Sequence, residues 1–373
     1  MRPRSILGCL LPLGLALGLS AQETIKIGEL ASLTGKQASF GQTNHRGVLT
    51  AVEEINAAGG VLGRQIELVT EDTRSLQGEA ATAVKKLISR DKVTAVIGET
   101  GSSAALEAAP LCQIAGVPMM SATATNARVT EAGNFIFRAC FIDPFQGTVL
   151  AKFARATLRA RRVAILVANG NAYSVGLVKY FKEDYAGHGE IVAEQKYSEG
   201  DRDFRAQLTA IKAANPDALF ASGDYAESAL ICKQARELGL AVPIFGGDTW
   251  DSPALVQIGG RAVEGTYFSA HFSPDSADPL VQSFVQRFSA RWSGQVPDTG
   301  TSLGYDAMML VADALRRAGS TDGRKLRDAL AATKDYAGVT GRITIDARRN
   351  ASKTAVIFTV RDGRFHYVES VGP

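Results

Sequence analysis

The sequence predicts an α/β protein made of two doubly wound lobes, each built on a sheet of parallel strands. Strand-like and helix-like patterns alternate with short breaks along most of the chain. The apolar strands expected at 94–98 and 162–168 read as covered on both faces, as parallel strands are. At 373 residues the chain is longer than one core usually holds, so two lobes are expected. A composition of 46% hydrophobic and 21% charged residues is that of an ordinary globular chain.

The N-terminus is set aside first. Arg2 and Arg4 precede an apolar run over 6–19, followed by Ser20, Ala21 and Gln22. This is the charged, apolar, small-residue order of a secretory leader spanning 1–21, which predicts export of the chain. The run is too short for a membrane helix of about 20 residues. Almost no apolar sequence lies ahead of Cys9, which argues against lipid attachment there. Without Arg2 and Arg4, the 41 basic and 38 acidic residues nearly cancel. No surplus of positive charge points to nucleic acid. Cys112, Cys140 and Cys232 remain; a Cys112–Cys140 disulfide and three buried small hydrophobes both fit that spacing.

Residues 24–30 alternate as a strand. Val48, Ala51, Val52 and Ile55 recur at helical spacing until Gly59 and Gly60 stop the helix. A strand over 65–70, a helix over 78–89 and the strand over 94–98 follow, then short strands at 118–121 and 135–137. A second series opens with a helix around 146–158. It continues with strand 162–168, helix 175–185, strand 191–197, helix 204–213, strand 218–221, helix 226–238 and strand 243–245. The C-terminal part breaks the rhythm with helices near 280–292, 304–318 and 324–332. Strands 355–360 and 365–368 then flank a turn at Arg361, Asp362 and Gly363. Such a segment cannot complete a third domain, so it packs onto the first two, and the chain crosses between lobes more than once.

The most informative stretch is 93–125. A buried strand leads through a glycine turn to Ser102 and Ser103, where a helix begins. Thr123 and Thr125 end the next strand and can face the same spot. Free N–H groups and the helix dipole favour an anion there. Ser is also a preferred N-cap, but capping needs only one of the two. The paired hydroxyls opposite threonines favour a carboxylate-binding site.

Eight stretches carry a family resemblance. They are I-K-I-G-E-L-A-S-L-T-G (25–35), A-V-E-E-I-N-A-A-G-G-V-L-G-R (51–64), T-A-V-I-G-E-T-G-S-S (94–103) and A-G-V-P-M-M-S (115–121). F-I-F-R (135–138), N-P-D-A-L-F (215–220), K-Q-A-R-E-L-G-L (233–240) and L-G-Y-D-A (303–307) complete the set. In this order they resemble the type I periplasmic binding proteins of the branched-chain amino acid (Leu/Ile/Val) ABC-uptake family. The resemblance implies two lobes joined by a three-crossover hinge: 22–141 with 270–346, and 142–269 with 347–373. It also implies a monomer that closes on a small-molecule ligand, an amino acid or related carboxylate, and delivers it to a membrane permease. The ligand carboxylate would meet Ser102 and Thr125. Its ammonium would meet the Thr123 carbonyl, the Thr125 hydroxyl and Asp248 of F-G-G-D-T-W on the other lobe. Phe40, Tyr173 and Tyr305 lie where relatives place aromatic contacts.

Two departures qualify this transfer. Gly101 replaces a residue that forms a disulfide in some relatives. Around Asp224 and Tyr225 some relatives set an aromatic ring against an aliphatic ligand, and a carboxylate pointing in there counts against a plain leucine or valine ligand. Each residue also has a structural reading: a turn for Thr125, helix caps for Asp224 and Asp248, core packing for Phe40, Tyr173 and Tyr305. The four histidines show no metal spacing. Gly59 to Gly63 lack the dinucleotide pattern and follow a helix. Without a nucleophile elbow, phosphate loop or metal set, no enzyme and no cofactor are expected. A sensor that presents its closed form to a receptor is the alternative within the same fold.

Overall fold

The computed structural model describes residues 23–98 and 101–372. The leader expected over 1–21, and Glu99 and Thr100 of the central motif, lie outside the described residues. The chain begins with β1 (Ile25–Ala31), α1 (Ala38–Ala57), β2 (Ile66–Asp72), α2 (Glu79–Ser89), β3 (Ala95–Gly98) and α3 (Ser102–Ala115). It goes on through β4 (Met119–Ser121), the single turn α4 (Arg128–Glu131) and β5 (Ile136–Arg138). These five strands form one wholly parallel sheet in the order β2-β1-β3-β4-β5.

The second lobe takes α5 (Asp143–Ala156), β6 (Arg162–Asn169), α6 (Ala172–Tyr185), β7 (Glu190–Ser198), α7 (Arg205–Ala213), β8 (Ala218–Ala221) and α8 (Tyr225–Glu237). β9 (Ile244–Gly246), α9 (Pro253–Gly259) and β10 (Tyr267–Ala270) follow. The chain then returns to the first lobe with α10 (Pro279–Arg291), α11 (Thr299–Ala318) and α12 (Gly323–Ala331). A small three-stranded sheet comes next: β11 (Tyr336–Gly338), β12 (Gly341–Ile345) and β13 (Ala351–Ser352). The last strands, β14 (Ala355–Arg361) and β15 (Arg364–Val371), join the second lobe.

The second sheet runs β15-β14-β10-β9-β8-β6-β7 and is mixed. β7, β6, β8, β9 and β10 are parallel, whereas β14 pairs antiparallel with β10 and with β15. The β14–β15 pairing has a local reason: Asp362 and Gly363 both have positive φ (51° and 68°), the geometry of a tight hairpin turn, so β15 folds back on β14. The Glu264 carboxylate accepts from both turn amides.

The covering of both sheet faces is visible residue by residue. Along β6, Val163, Ile165 and Val167 pack into one core while Ala164, Leu166 and Ala168 pack into the core on the opposite face. In the first lobe Ala95 and Ile97 face α1 and α11, and Val96 faces α2 and α3. Period-two side chains buried on both faces are why these strands read as unbroken apolar runs. Each such Val, Ile or Leu contributes about 1.5–3 kcal/mol by burial. α10, α11 and α12 complete the outer layer of the first sheet. α1 and α11 touch backbone to backbone: a Cβ on Gly47 would lie 1.9 Å from the Thr301 carbonyl oxygen, and one on Gly304 would lie 2.3 Å from that of Asn44. That approach explains the glycine of L-G-Y-D-A. Cys112, Cys140 and Cys232 are buried free thiols.

Candidate functional site

Both sheets point their C-terminal edges at a shared cleft of about 360 Å³. Clefts outside the C-terminal ends of parallel strands are where such sheets bind ligands, and this volume suits a small molecule. From the first lobe the cleft is lined by Gln37 and Phe40, by Gly101 just before α3, and by Ser102 and Ser103 at its start. The second lobe contributes Asn171, Tyr173, Glu199, Asp224, Tyr225 and Thr249. Gly101 is extended and caps α3 with no side chain, so the first N–H groups of that helix are left facing the cleft end. Ser102 Oγ accepts from the Asn126 amide at 3.2 Å, which ties the helix start to the segment bearing Thr123 and Thr125.

The lobes touch directly around the cleft. Ala172 donates its N–H to Ser103 Oγ at 3.2 Å, and its carbonyl accepts from Asn126 Nδ2 at 2.7 Å. Tyr225 donates its hydroxyl to the Lys36 carbonyl at 3.0 Å, and Lys36 Nζ pairs with Glu199 at 2.7 Å. Gln37 Nε2 donates to Asp224 Oδ2 at 2.9 Å, and the Ser39 and Ser252 hydroxyls meet at 2.8 Å. Phe40, although on α1, is packed in a core of the second lobe. Residues 36–40 therefore reach across and plug into the opposite wall.

A profile described as periplasmic binding protein matches residues 24–364. The Leu/Ile/Val-binding protein homolog 2 of Brucella abortus is 32% identical over 362 residues, covering 95% of this chain and 96% of that protein. The chain belongs to the periplasmic binding protein family. The crystal structure of a leucine binding protein, LivK, from Thermotoga maritima is 39% identical with a TM-score of 0.91, covering 94% of this chain and 99% of that one. The branched-chain amino acid transporter substrate binding protein LivJ from Streptococcus pneumoniae, solved with isoleucine, is 36% identical with a TM-score of 0.89. That match covers 94% of this chain and all of that one (100%).

In this periplasmic binding protein Ser102, Ser103, Phe40, Tyr173 and Asp224 all border the cleft. Thr123 and Thr125 are buried behind them, 4% and 1% exposed. The Thr125 hydroxyl neighbours the carboxyl of Asp143. Burial pushes that carboxyl up to about 8, with Thr125 pulling the other way. Neither Thr125 Oγ1 nor either Asp143 oxygen has a partner at hydrogen-bond geometry among the described residues.

Tyr305 is not brought to the cleft. α11 begins at Thr299, so Tyr305 lies inside the helix instead of at its start. Its ring packs against Phe284 and its hydroxyl donates to Glu54 at 2.6 Å.

Asp248 is also outside the lining, in a buried network beneath Tyr173. Its Oδ1 accepts from the Tyr173 hydroxyl at 2.7 Å and Gln146 Nε2 at 2.8 Å, and its Oδ2 meets His271 Nε2 at 3.0 Å. Burial alone would raise its pKa, but His271, Tyr173 and Gln146 together hold it below the usual carboxylate value. Burial pushes His271 down to about 4, so its imidazole is neutral and donates Nε2–H.

Asp224 behaves differently. It occupies the N-cap position of α8, yet its side chain makes no capping bond and turns to Gln37. Burial, then the nearby Glu227, lift its carboxyl to about 7; Gln37 and Lys36 act in the opposite sense.

Lys36, Gln37 and Glu199 carry no signal in the sequence, and Tyr225 enters it only beside Asp224. Gln37 lies just past the 25–35 stretch, and Tyr225 adjoins Asp224. Lys36 and Glu199 sit in polar turns that read as solvated surface.

Proposed function

We propose that this binding protein is the substrate-capturing component of an ABC importer and that it closes its two lobes on an α-amino acid or closely related small carboxylate. The observation that carries this reading is the cleft at the start of α3. The N–H groups of the first helical turn, the positive end of the helix dipole and two serine hydroxyls converge there, opposite a second wall that supplies acids and aromatic rings. The ligand's carboxylate is assigned to Ser102, Ser103 and the α3 amides, with Thr123 and Thr125 shaping the floor. Phe40 and Tyr173 enclose its side chain. The family and the isoleucine complex of a relative support the choice of ligand class.

Closure follows from differential binding. A ligand that touches both walls stabilises the closed form by the difference in its affinity for the two forms. The contacts made by Lys36, Ser39, Phe40, Ser103 and Asn126 add to that state. The working protein is taken to be the periplasmic monomer left after removal of 1–21, handing its ligand to a membrane permease.

Thermal-shift and calorimetric titration of the mature protein with the L-amino acids and a set of small carboxylates tests the reading. Members of one chemical class should raise the melting temperature by mass action. Ser102→Ala should weaken them about 10- to 100-fold, the worth of a hydrogen bond to a charged group. No shift from any amino acid or carboxylate at millimolar concentration would overturn it.

A further inference from the structure

Gln37 spans the cleft in a telling way. Its Oε1 and Nε2 lie 2.8 and 3.3 Å from where a Cβ on Gly101 would sit, and Nε2 donates to Asp224 Oδ2 at 2.9 Å. One carboxamide thus lies between the start of α3 and a carboxylate on the other lobe, and it presents an N–H donor to that acid. The head group of an α-amino acid carries both pieces such a place would use: a carboxylate for the helix start and, two bonds from the carboxylate carbon, an ammonium for the acid.

Asp224 is built to receive such a donor. It is 7% exposed and stands at a helix start, where Asp ordinarily caps, yet it leaves the α8 amides and faces the cleft. Among the described residues its Oδ1 accepts no hydrogen bond, and Oδ2 has only Gln37. Its surroundings are short of positive charge. Glu199 and Glu227 stand nearby, and the cation acting on it, Lys36, is already paired with Glu199. Asp248 offers nothing comparable, because three donors already occupy its two oxygens.

Building on the carboxylate reading above, we propose that Asp224 is the specificity-determining acid of this site. It takes the ammonium of an α-amino acid in the place that Gln37 Nε2 holds, while Asp248 serves as a positioning residue for Tyr173. The Gln37 carboxamide is displaced as the head group enters.

The test is calorimetry with paired probes that differ only in the amine: L-leucine against 4-methylpentanoate, and L-phenylalanine against 3-phenylpropanoate. Wild type should prefer the amino acid by about 100-fold or more, the scale for a buried charge losing its partner. Asp224→Asn should erase that preference by weakening the amino acid alone. It removes a buried charge and keeps the shape, so it should fold at least as stably as wild type. Asp248→Asn should keep the preference, and Gln37→Ala should keep it while tightening the amino acid. A preference that survives Asp224→Asn, or one abolished by Asp248→Asn instead, would overturn the proposal. Ser102→Ala reports on the other end of the ligand. If it weakens both members of each pair while Asp224→Asn changes neither, the carboxylate site stands and the role of Asp224 falls.

Discussion

Asp224 and Asp248 lie on the same lobe, each within a few residues of a strand end, and both are more than nine-tenths buried, 7% and 2% exposed. Their chemistry is opposite. Asp248 has three donors and a lowered pKa; Asp224 has one donor and a pKa raised to about 7. Burial penalises both charges, so the difference comes from the donors already committed to Asp248 and from the like charges of Glu227 and Glu199 beside Asp224. A satisfied carboxylate holds structure together. An under-satisfied one, aimed into a cleft, is left for something from outside.

The largest effect that would sharpen this contrast is on stability. Asp248→Ala strips Tyr173, Gln146 and His271 of a shared buried acceptor. It should cost about 3–5 kcal/mol, read as a lowered urea midpoint. Asp224→Ala should cost less than about 1 kcal/mol, since its single bond is to a cleft side chain. Equal losses would erase the distinction. The pH dependence has opposite signs. Asp248, with its folded pKa depressed, contributes stability present above its unfolded pKa and lost as pH falls through the folded value. Asp224, with its folded pKa raised, favours the folded state below its unfolded pKa, and that contribution is lost as pH rises toward about 7.

Ligand binding should show the next effect. Below about 7 the Asp224 carboxyl holds a proton that an incoming ammonium must displace. Amino-acid affinity should therefore rise by up to about tenfold per pH unit on approaching 7 from below, then level off. Proton release should be visible as a dependence of calorimetric heat on buffer ionisation enthalpy. Asp224→Asn should flatten the profile, which separates this group from Asp143 and from other buried carboxyls such as Asp251, also raised to about 7. A profile unchanged in Asp224→Asn would place the titrating group elsewhere.

Much of this was legible in the sequence, for identifiable reasons. The strands covered on both faces, such as β6, announced the doubly wound architecture, and Ser102 and Ser103 announced the helix start at the cleft. β10 carries little strand signal because it is short and turns from Tyr267 and Phe268 to small residues, although it is the strand between β9 and β14. Tyr305 reads as the start of a helix because the apolar periodicity begins several residues after the true start of α11 at Thr299. The distinction between Asp224 and Asp248 was not legible. It depends on Gln146, Tyr173, His271 and Gln37, which are distant in sequence and converge only in the fold. Helix capping was an equally good reading of Asp224 until the side chain was seen to leave the α8 amides.

The smallest expected effect concerns the rim of the same corner. Lys36 and Glu199 pair at 2.7 Å, but their side chains remain 39% and 28% exposed. Such pairs are worth about 0.2–1 kcal/mol and are screened by salt. Lys36→Ala should therefore weaken the amino acid by less than about fivefold, and the difference should shrink toward nothing in about 1 M salt. The Tyr225 hydroxyl binds the backbone carbonyl of residue 36, so that closing contact survives the substitution. Lys36 also holds down the Asp224 pKa, so its loss should move the pH midpoint for binding upward even where affinity at high pH changes little. A loss approaching 100-fold would make the rim pair the element that closes the lobes, and Asp224 would no longer stand apart from the other acids of the cleft.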